Sequence, residues 1–219
     1  MRIEVCTRSP SIALAEGGRV DFILRAAELA RWEGRALWPG VEDGPRPGDA
    51  RDCFRREVAR EPPGQPVAGG PFERVAAAIL RYEVFPPRLV EAVLRRAPLE
   101  PGDTVGIRYK GLRVVDLFFA ARVADRFRRV EDRLLREGFT YRTLVGHPEL
   151  GEETFSAWKE LATGRVGVEL RSWSRPGTRL ARLGAPIVRR LQIHAGHAAL
   201  DHLARVAAEP FVIGQMRLE

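Results

Sequence analysis

From Leu89 onward, apolar side chains fall at every second position in run after run, which buries one face of a strand and leaves the other free. The runs predict strands over Leu89–Arg96, Thr104–Lys110, Arg113–Phe127, Gly138–Val145, Glu152–Glu160 and Arg165–Arg175. PLEPGD, KG, GHPELG and ATG separate several of them, and turns this tight join antiparallel neighbours. After Pro176 and Gly177 the period changes. Leu180, Leu183, Ile187, Leu191, Ala195, Ala198, His202 and Val206 recur at intervals of three and four, the signature of a long amphipathic helix. Pro186 predicts a kink, or a helix start near Gly184.

The first half of the chain is more mixed. Met1–Thr7 alternates and reads as a short strand, and Gly17 and Gly18 break the chain. Val20, Ile23, Leu24, Ala27, Leu29 and Ala30 predict a helix over Arg19–Glu33. Gly34–Gly70 carries WPG, DGPRPGD, EPPGQP and AGG, all turn chemistry, with one short strand at Asp52–Ala59. A segment of that kind is expected to be a lid or a packed surface wrap. Pro71 opens the helix PFERVAAAILRYEV, with Glu73 in its first turn. Phe72, Val75, Ala76, Ile79 and Leu80 form its buried stripe, and Pro86 and Pro87 end it.

This order predicts an α+β fold: a curved antiparallel sheet of about six to seven strands wrapped around the C-terminal helix, with two further helices near the N-terminus. Only the last helix is long enough to cover the sheet, and a sheet that wraps a helix leaves a cavity between them. That is a helix-grip arrangement. The expected organisation is a single domain over residues 1–207, with 34–70 as insertion or lid, and a tail over 208–219.

Composition narrows the picture. The chain has 219 residues, 45% of them hydrophobic, enough for a core without staples. No run approaches the ~18 apolar residues of a membrane span. The start lacks an apolar stretch behind a basic end, which points to the cytoplasm and to reduced thiols at Cys6 and Cys53. The net charge of +7 invites a nucleic-acid reading. Lys110 and Lys159 are the only lysines, however, and the arginines are spread among acidic residues. A GC-rich genome would produce that pattern without any partner, and nucleic acid is kept only as a minority option.

Four segments carry a family resemblance: GGPFERVAAAILRYEVF (Gly69–Phe85), GFTYRTLVGHPELGEETF (Gly138–Phe155), RSWSRPGT (Arg171–Thr178) and GAPIVRRLQ (Gly184–Gln192). Together they resemble the domain-of-unknown-function family also called uncharacterised protein family 0548, over about Asp52 to Ala207. The resemblance implies a helix-grip fold similar to the START and birch-pollen-allergen (SRPBCC) superfamily. That superfamily mostly binds apolar or amphipathic small molecules in its cavity, and some members are cyclases or hydrolases.

The densest chemistry is Gly146-His147-Pro148-Glu149-Leu150-Gly151-Glu152-Glu153. An imidazole beside carboxylates suits acid–base work, with His147 and Glu149 or Glu153 as the pair. The competing reading is a tight hairpin whose turn backbone His147 bonds. On the preceding strand Phe139, Tyr141 and Thr143 share one face, opposite Thr140 and Arg142. Arg171, Trp173 and Arg175 share a face opposite Ser172 and Ser174. Arg171 or Arg175 is expected to pair with Glu152 or Glu153. His194, His197 and Asp201 fall on one side of the last helix, but Arg190 beside them argues for a solvated face, so no metal is assigned. No GxSxG, Walker, GxGxxG, HExxH or CxxC motif occurs, and no cofactor is implied.

The reading that follows is a binding protein for a small apolar or amphipathic molecule. Tyr141, Phe119, Trp173, Leu191 and Ala195 are the expected lining, with Arg142 and Arg175 available for orientation. The alternatives are an enzyme of the same fold using His147 with Glu149 or Glu153, and an interaction module with a filled core.

Overall fold

The computed structural model of the chain describes residues 13–15, 19–21, 25–110, 117–177 and 179–209. Along the chain run β1 (Ala13–Ala15), β2 (Arg19–Asp21), α1 (Arg25–Glu33), β3 (Ala50–Arg60), α2 (Pro71–Leu80), β4 (Val90–Val93), β5 (Thr104–Tyr109), β6 (Leu117–Glu131), β7 (Leu134–Thr143), β8 (Glu149–Glu160), β9 (Arg165–Pro176) and α3 (Arg179–Ala208). Seven strands form one antiparallel sheet in the order β3-β9-β8-β7-β6-β5-β4. Strands β4 to β9 are a meander, and β3 crosses to the far edge beside β9. Register shifts at Glu57/Ala59 and Val123/Asp125 are bulges, which bend strands and help the sheet curl. This is the helix-grip architecture that the alternation predicted.

Two expectations are corrected. Residues 19–21, assigned to the first helix, pair instead with 13–15 as a separate hairpin, and the helix begins at Arg25. Gly17-Gly18 is hairpin turn chemistry as much as a chain break, and β-branched Val20 suits a strand. The last helix starts at Arg179 and runs past Pro186 as one assigned helix, rather than starting near Gly184. Proline costs one amide bond there, which a helix of this length tolerates once docked. The strand at Met1–Thr7 lies outside the described residues, as does most of the tail after residue 208.

The curled face of the sheet is filled from two sides. Phe72, Val75 and Ile79 of α2 and Ala199 and Leu203 of α3 pack on Phe139, Phe155, Val166, Val168 and Leu170. The other face is not bare. Trp32, near the end of α1, packs with Ala120 and Leu144, and Leu29 and Phe118 both close on Gly106. The segment after α1 is stitched to the end of β7, since Trp38 N–H donates to the Thr143 carbonyl and Val145 N–H to that of Ala36. Leu37, Trp38 and Val41 then pack on Leu150 and Trp173. Cys53 is exposed on β3. Among the described residues, no helix is long and apolar enough to cross a membrane.

Candidate functional site

Between the curled face and α3 the packing leaves a cavity of about 240 Å³. Its body is apolar: Tyr82 and Phe85 follow α2, Ile107 and Tyr109 come from β5, Leu117 and Phe119 from β6, Tyr141 from β7, and Leu191, Ala195 and Gly196 from α3. Period-two alternation delivers these side chains to one face, and Gly196 lets the Phe54 ring of β3 close against the helix. A Cβ at residue 196 would come 2.6 Å from that ring.

One wall is acidic. Glu149 and Glu153 lie on the same face of β8, two inward positions apart, and Asp52 faces them from β3. Tyr141 Oη donates to Glu153 Oε2 at 2.7 Å. Gln192 of α3 donates to Glu149, as does Ser174. Burial pushes the carboxyls of both Glu149 and Glu153 up to about 7, and the Asp52 charge adds to each rise. Arg189 pulls Glu149 back down, but its guanidinium is already committed to Asp52 through both nitrogens.

Behind this wall the Tyr141 hydroxyl is also coupled to that of Tyr82, and burial raises both phenols. Tyr82 sits at φ +58, a backbone conformation unusual for a bulky residue. That turn drops its ring among Phe85, Phe139, Tyr141 and Phe155. Across the cavity, Tyr109 is 8% exposed, and its hydroxyl has no hydrogen-bond partner among the described residues.

His147 is buried, not at a solvent-exposed turn tip. Its Nδ1 lies 2.9 Å from the Glu149 carbonyl oxygen and 3.1 Å from the Glu149 amide nitrogen. One ring nitrogen is therefore spent on the hairpin backbone in either tautomer. The ring meets Phe119 edge-on at 4.5 Å, and burial lowers its pKa to about 4, so it is neutral near pH 7. The imidazole bonds the Glu149 backbone rather than a carboxylate.

The family model described as a domain of unknown function (DUF1990) matches residues 42–202. The chain belongs to this family. Every residue that lines the cavity lies within the DUF1990 match. A UPF0548 protein of Dictyostelium discoideum is 32% identical over 127 residues, which are 55% of this chain and 59% of that protein. The match thus spans about three-fifths of that relative's length. Among solved structures, a hypothetical protein of Helicobacter pylori, jhp0584, aligns over 78% of this chain and 96% of its own, at 14% identity and a TM-score of 0.46. Ara h 8.0201 aligns over 71% of this chain and 99% of its own, at 10% identity and a TM-score of 0.38.

Of the residues expected to line a site, this DUF1990 chain brings Tyr141, Phe119, Leu191 and Ala195 together with His147, Glu149 and Glu153. Trp173 also borders the cavity, but its ring, like the Arg142 and Arg175 side chains, projects from the opposite face. The Trp173 ring packs on Val41 and Leu150, Arg142 pairs with Glu152 and Glu42, and Arg175 pairs with Asp49. The expected pairing of Arg171 or Arg175 with Glu152 or Glu153 is replaced accordingly, and Arg171 takes Glu169 on its own strand. On the last helix His197 packs edge-on against Phe54 and Asp201 pairs with Arg56.

Sequence reasoning missed Tyr82, Tyr109, Asp52 and Gln192. Tyr109 continues the alternation of Val105 and Ile107, which was a usable signal. Tyr82 gave none, because its direction depends on a left-handed turn. A second cleft, on the side of α1, is lined by Glu33, Arg95, Arg96, Asp103 and Arg122. Its charges are spent on one another: Arg95 pairs with Glu33, Arg96 with Asp103, and Arg122 bonds the Glu33 carbonyl.

Proposed function

We propose that this protein binds a small, largely apolar molecule between the sheet and α3. The observation that carries the reading is the cavity itself. Protein interiors close-pack and leave few voids larger than a water molecule. Here about 240 Å³ stays open, walled mainly by aromatic and aliphatic side chains with a few convergent polar groups, as in small-molecule sites. A void of this size also counts against an interaction module with a filled core. The test is native mass spectrometry on protein purified from its own host, repeated after denaturation. A small molecule that leaves on denaturation is the expected result. Ala195→Trp, which fills the cavity from α3, should yield the bare chain mass. Retention of the same molecule by that variant would place the ligand elsewhere.

A second reading, proton transfer on the bound molecule, is favoured by one observation: Glu153 faces the cavity with a pKa near neutrality and accepts a hydrogen bond from Tyr141. His147 contributes less to it, because its Nδ1 is tied to the hairpin. Incubating the co-purified compound with protein should then change its mass or its isotope content in deuterated water. Loss of that change in Glu153→Gln would identify the carboxyl as the acid–base group.

A further inference from the structure

The cavity is sided. Its β8 wall presents Glu149 and Glu153, with Asp52 beside them, whereas the β5 wall presents the Tyr109 hydroxyl. Strands β8 and β5 are separated by β7 and β6. The span between the walls is therefore at most roughly 14 Å at ~4.8 Å per strand, and less across the curl. Aromatic and aliphatic groups fill the space between.

Among the described residues Glu149 and Glu153 have no ion-pair partner, and the Tyr109 hydroxyl has no hydrogen-bond partner. Elsewhere the arginines are spent on carboxylates: Arg142 on Glu152, Arg175 on Asp49, Arg136 on Glu169. At the cavity wall Asp52 is taken up by Arg189, and Glu149 and Glu153 receive neutral donors from Gln192, Ser174 and Tyr141. Among the described residues His147 is the basic group in the lining, and its Nδ1 is held by backbone. Two carboxyls in an apolar cavity with no cation dedicated to them among the described residues attract positive charge and repel negative charge. The second observation is independent of them: a phenol hydroxyl, on a residue more than nine-tenths buried, is left without a partner on the far wall. A buried hydroxyl in that state costs free energy that a ligand atom can recover.

We propose that the ligand is an amphipathic amine whose ammonium docks on the Glu149–Glu153 wall, whose apolar body lies over Phe119 and Leu191, and whose far end offers a hydrogen-bond acceptor to Tyr109. This rests on the reading of the cavity as a binding site and names the chemical class that site takes. Fatty acids and other carboxylates are the wrong class, because they would bring a third negative charge to the acidic wall.

The experiment uses three matched probes on the purified full chain, by isothermal titration calorimetry near pH 7.5. They are 4-methoxyphenethylamine, 2-(4-methoxyphenyl)ethanol and 4-methoxyphenylacetate, which share a body and differ in the head group. The expected order is amine tighter than alcohol by at least about tenfold, with the carboxylate weakest. In Glu153→Gln or Glu149→Gln the amine's advantage over the alcohol should shrink several-fold, while alcohol binding is retained. These exchanges keep side-chain size, and retained alcohol binding reports an intact cavity. Tyr109→Phe should weaken 4-methoxyphenethylamine several-fold but leave phenethylamine, which lacks the acceptor, unchanged. Equal binding of amine and alcohol, or tightest binding of the carboxylate, overturns the amine assignment while leaving the cavity reading standing. Failure of all three probes to bind removes both.

Discussion

Lys159 Nζ lies 2.7 Å from Glu61 Oε2, and both side chains are sealed from solvent. Glu61 does more than neutralise the lysine. Its carboxylate accepts the Phe72 N–H at 2.8 Å and the Val67 N–H at 3.1 Å, so it closes the N-terminus of α2, where Gly70 has no side chain to cap with. Burial pushes its pKa up, but Lys159 and these two amides pull it further down and keep it ionised. The pair therefore ties the loop before α2, and hence the placement of Tyr82, to β8.

Lys159→Met should accordingly lower stability by ~3–5 kcal/mol, since it strands a buried carboxylate. The double variant Lys159→Met/Glu61→Gln should lose less than the single one, because the remaining amide oxygen still accepts from Phe72. Urea unfolding of the three proteins checks this. A double variant at least as unstable as Lys159→Met would show that the ionised group itself is needed at the helix end.

Glu149 and Glu153 make a prediction of the opposite electrostatic kind. Their folded pKa values are raised from an ordinary 4.5 to about 7. Between those values the folded state holds more protons than the unfolded one, so stability falls as pH rises through this window. The slope is at most about 1.4 kcal/mol per pH unit for each proton. Glu153→Gln removes one such contribution. It should be more stable than wild type above pH 7 and converge toward wild type near pH 4.5. Urea midpoints across that range read the difference directly, and a constant offset would mean that Glu153 titrates normally.

Much of this site was legible in the sequence because strand alternation is a strong constraint. Placing Phe139 and Tyr141 on one face and Arg142 on the other needed only the period of two, and the structure keeps that division. The same rule put Trp173 opposite Ser172 and Ser174. What alternation could not tell was which face curls inward, and so Arg142 and Arg175 were expected at a cavity that their own neighbours line, and Trp173 borders it while its ring packs on the other face. The buried state of His147 was hidden for another reason. A Gly-His-Pro-Glu turn reads as solvent-facing, whereas here Phe119 and the hairpin backbone enclose the ring. The crossing of β3 to the edge beside β9 depends on packing between distant segments, which local pattern does not encode.

That division of faces is itself testable. Trp173→Phe and Arg142→Gln alter the outer face, where Trp173 contacts Val41 and Leu150 and Arg142 pairs with Glu152. Each should change stability modestly, by ~1–2 kcal/mol or less, and leave ligand affinity within about twofold of wild type. Tyr141→Phe, on the inner face, should lower affinity while preserving the fold. Binding lost in Trp173→Phe with its melting temperature unchanged would place the site on the wrong side of the sheet.

His147 opposes the two glutamates in acid. Its folded pKa is lowered from 6.5 to about 4 by burial. Between those values the unfolded chain binds a proton that the folded chain refuses, so this residue's contribution to stability is lost as pH falls from 6.5 toward 4. Over nearly the same interval Glu149 and Glu153 gain stability as they protonate. The wild-type profile between pH 4.5 and 6.5 is then less steep than the two glutamates alone would make it, and only variants separate the contributions. His147→Asn keeps a hydrogen-bonding group near the Nδ1 position, within reach of the Glu149 backbone, but cannot take up the proton. It should cost about 1 kcal/mol at pH 7.5 from lost contact with Phe119. That deficit should shrink, and then reverse, as the pH is lowered to 5. Parallel urea midpoints for the two proteins from pH 7.5 to pH 5 would mean that the imidazole protonates in place, and that the cavity wall it belongs to is wetter than its burial implies.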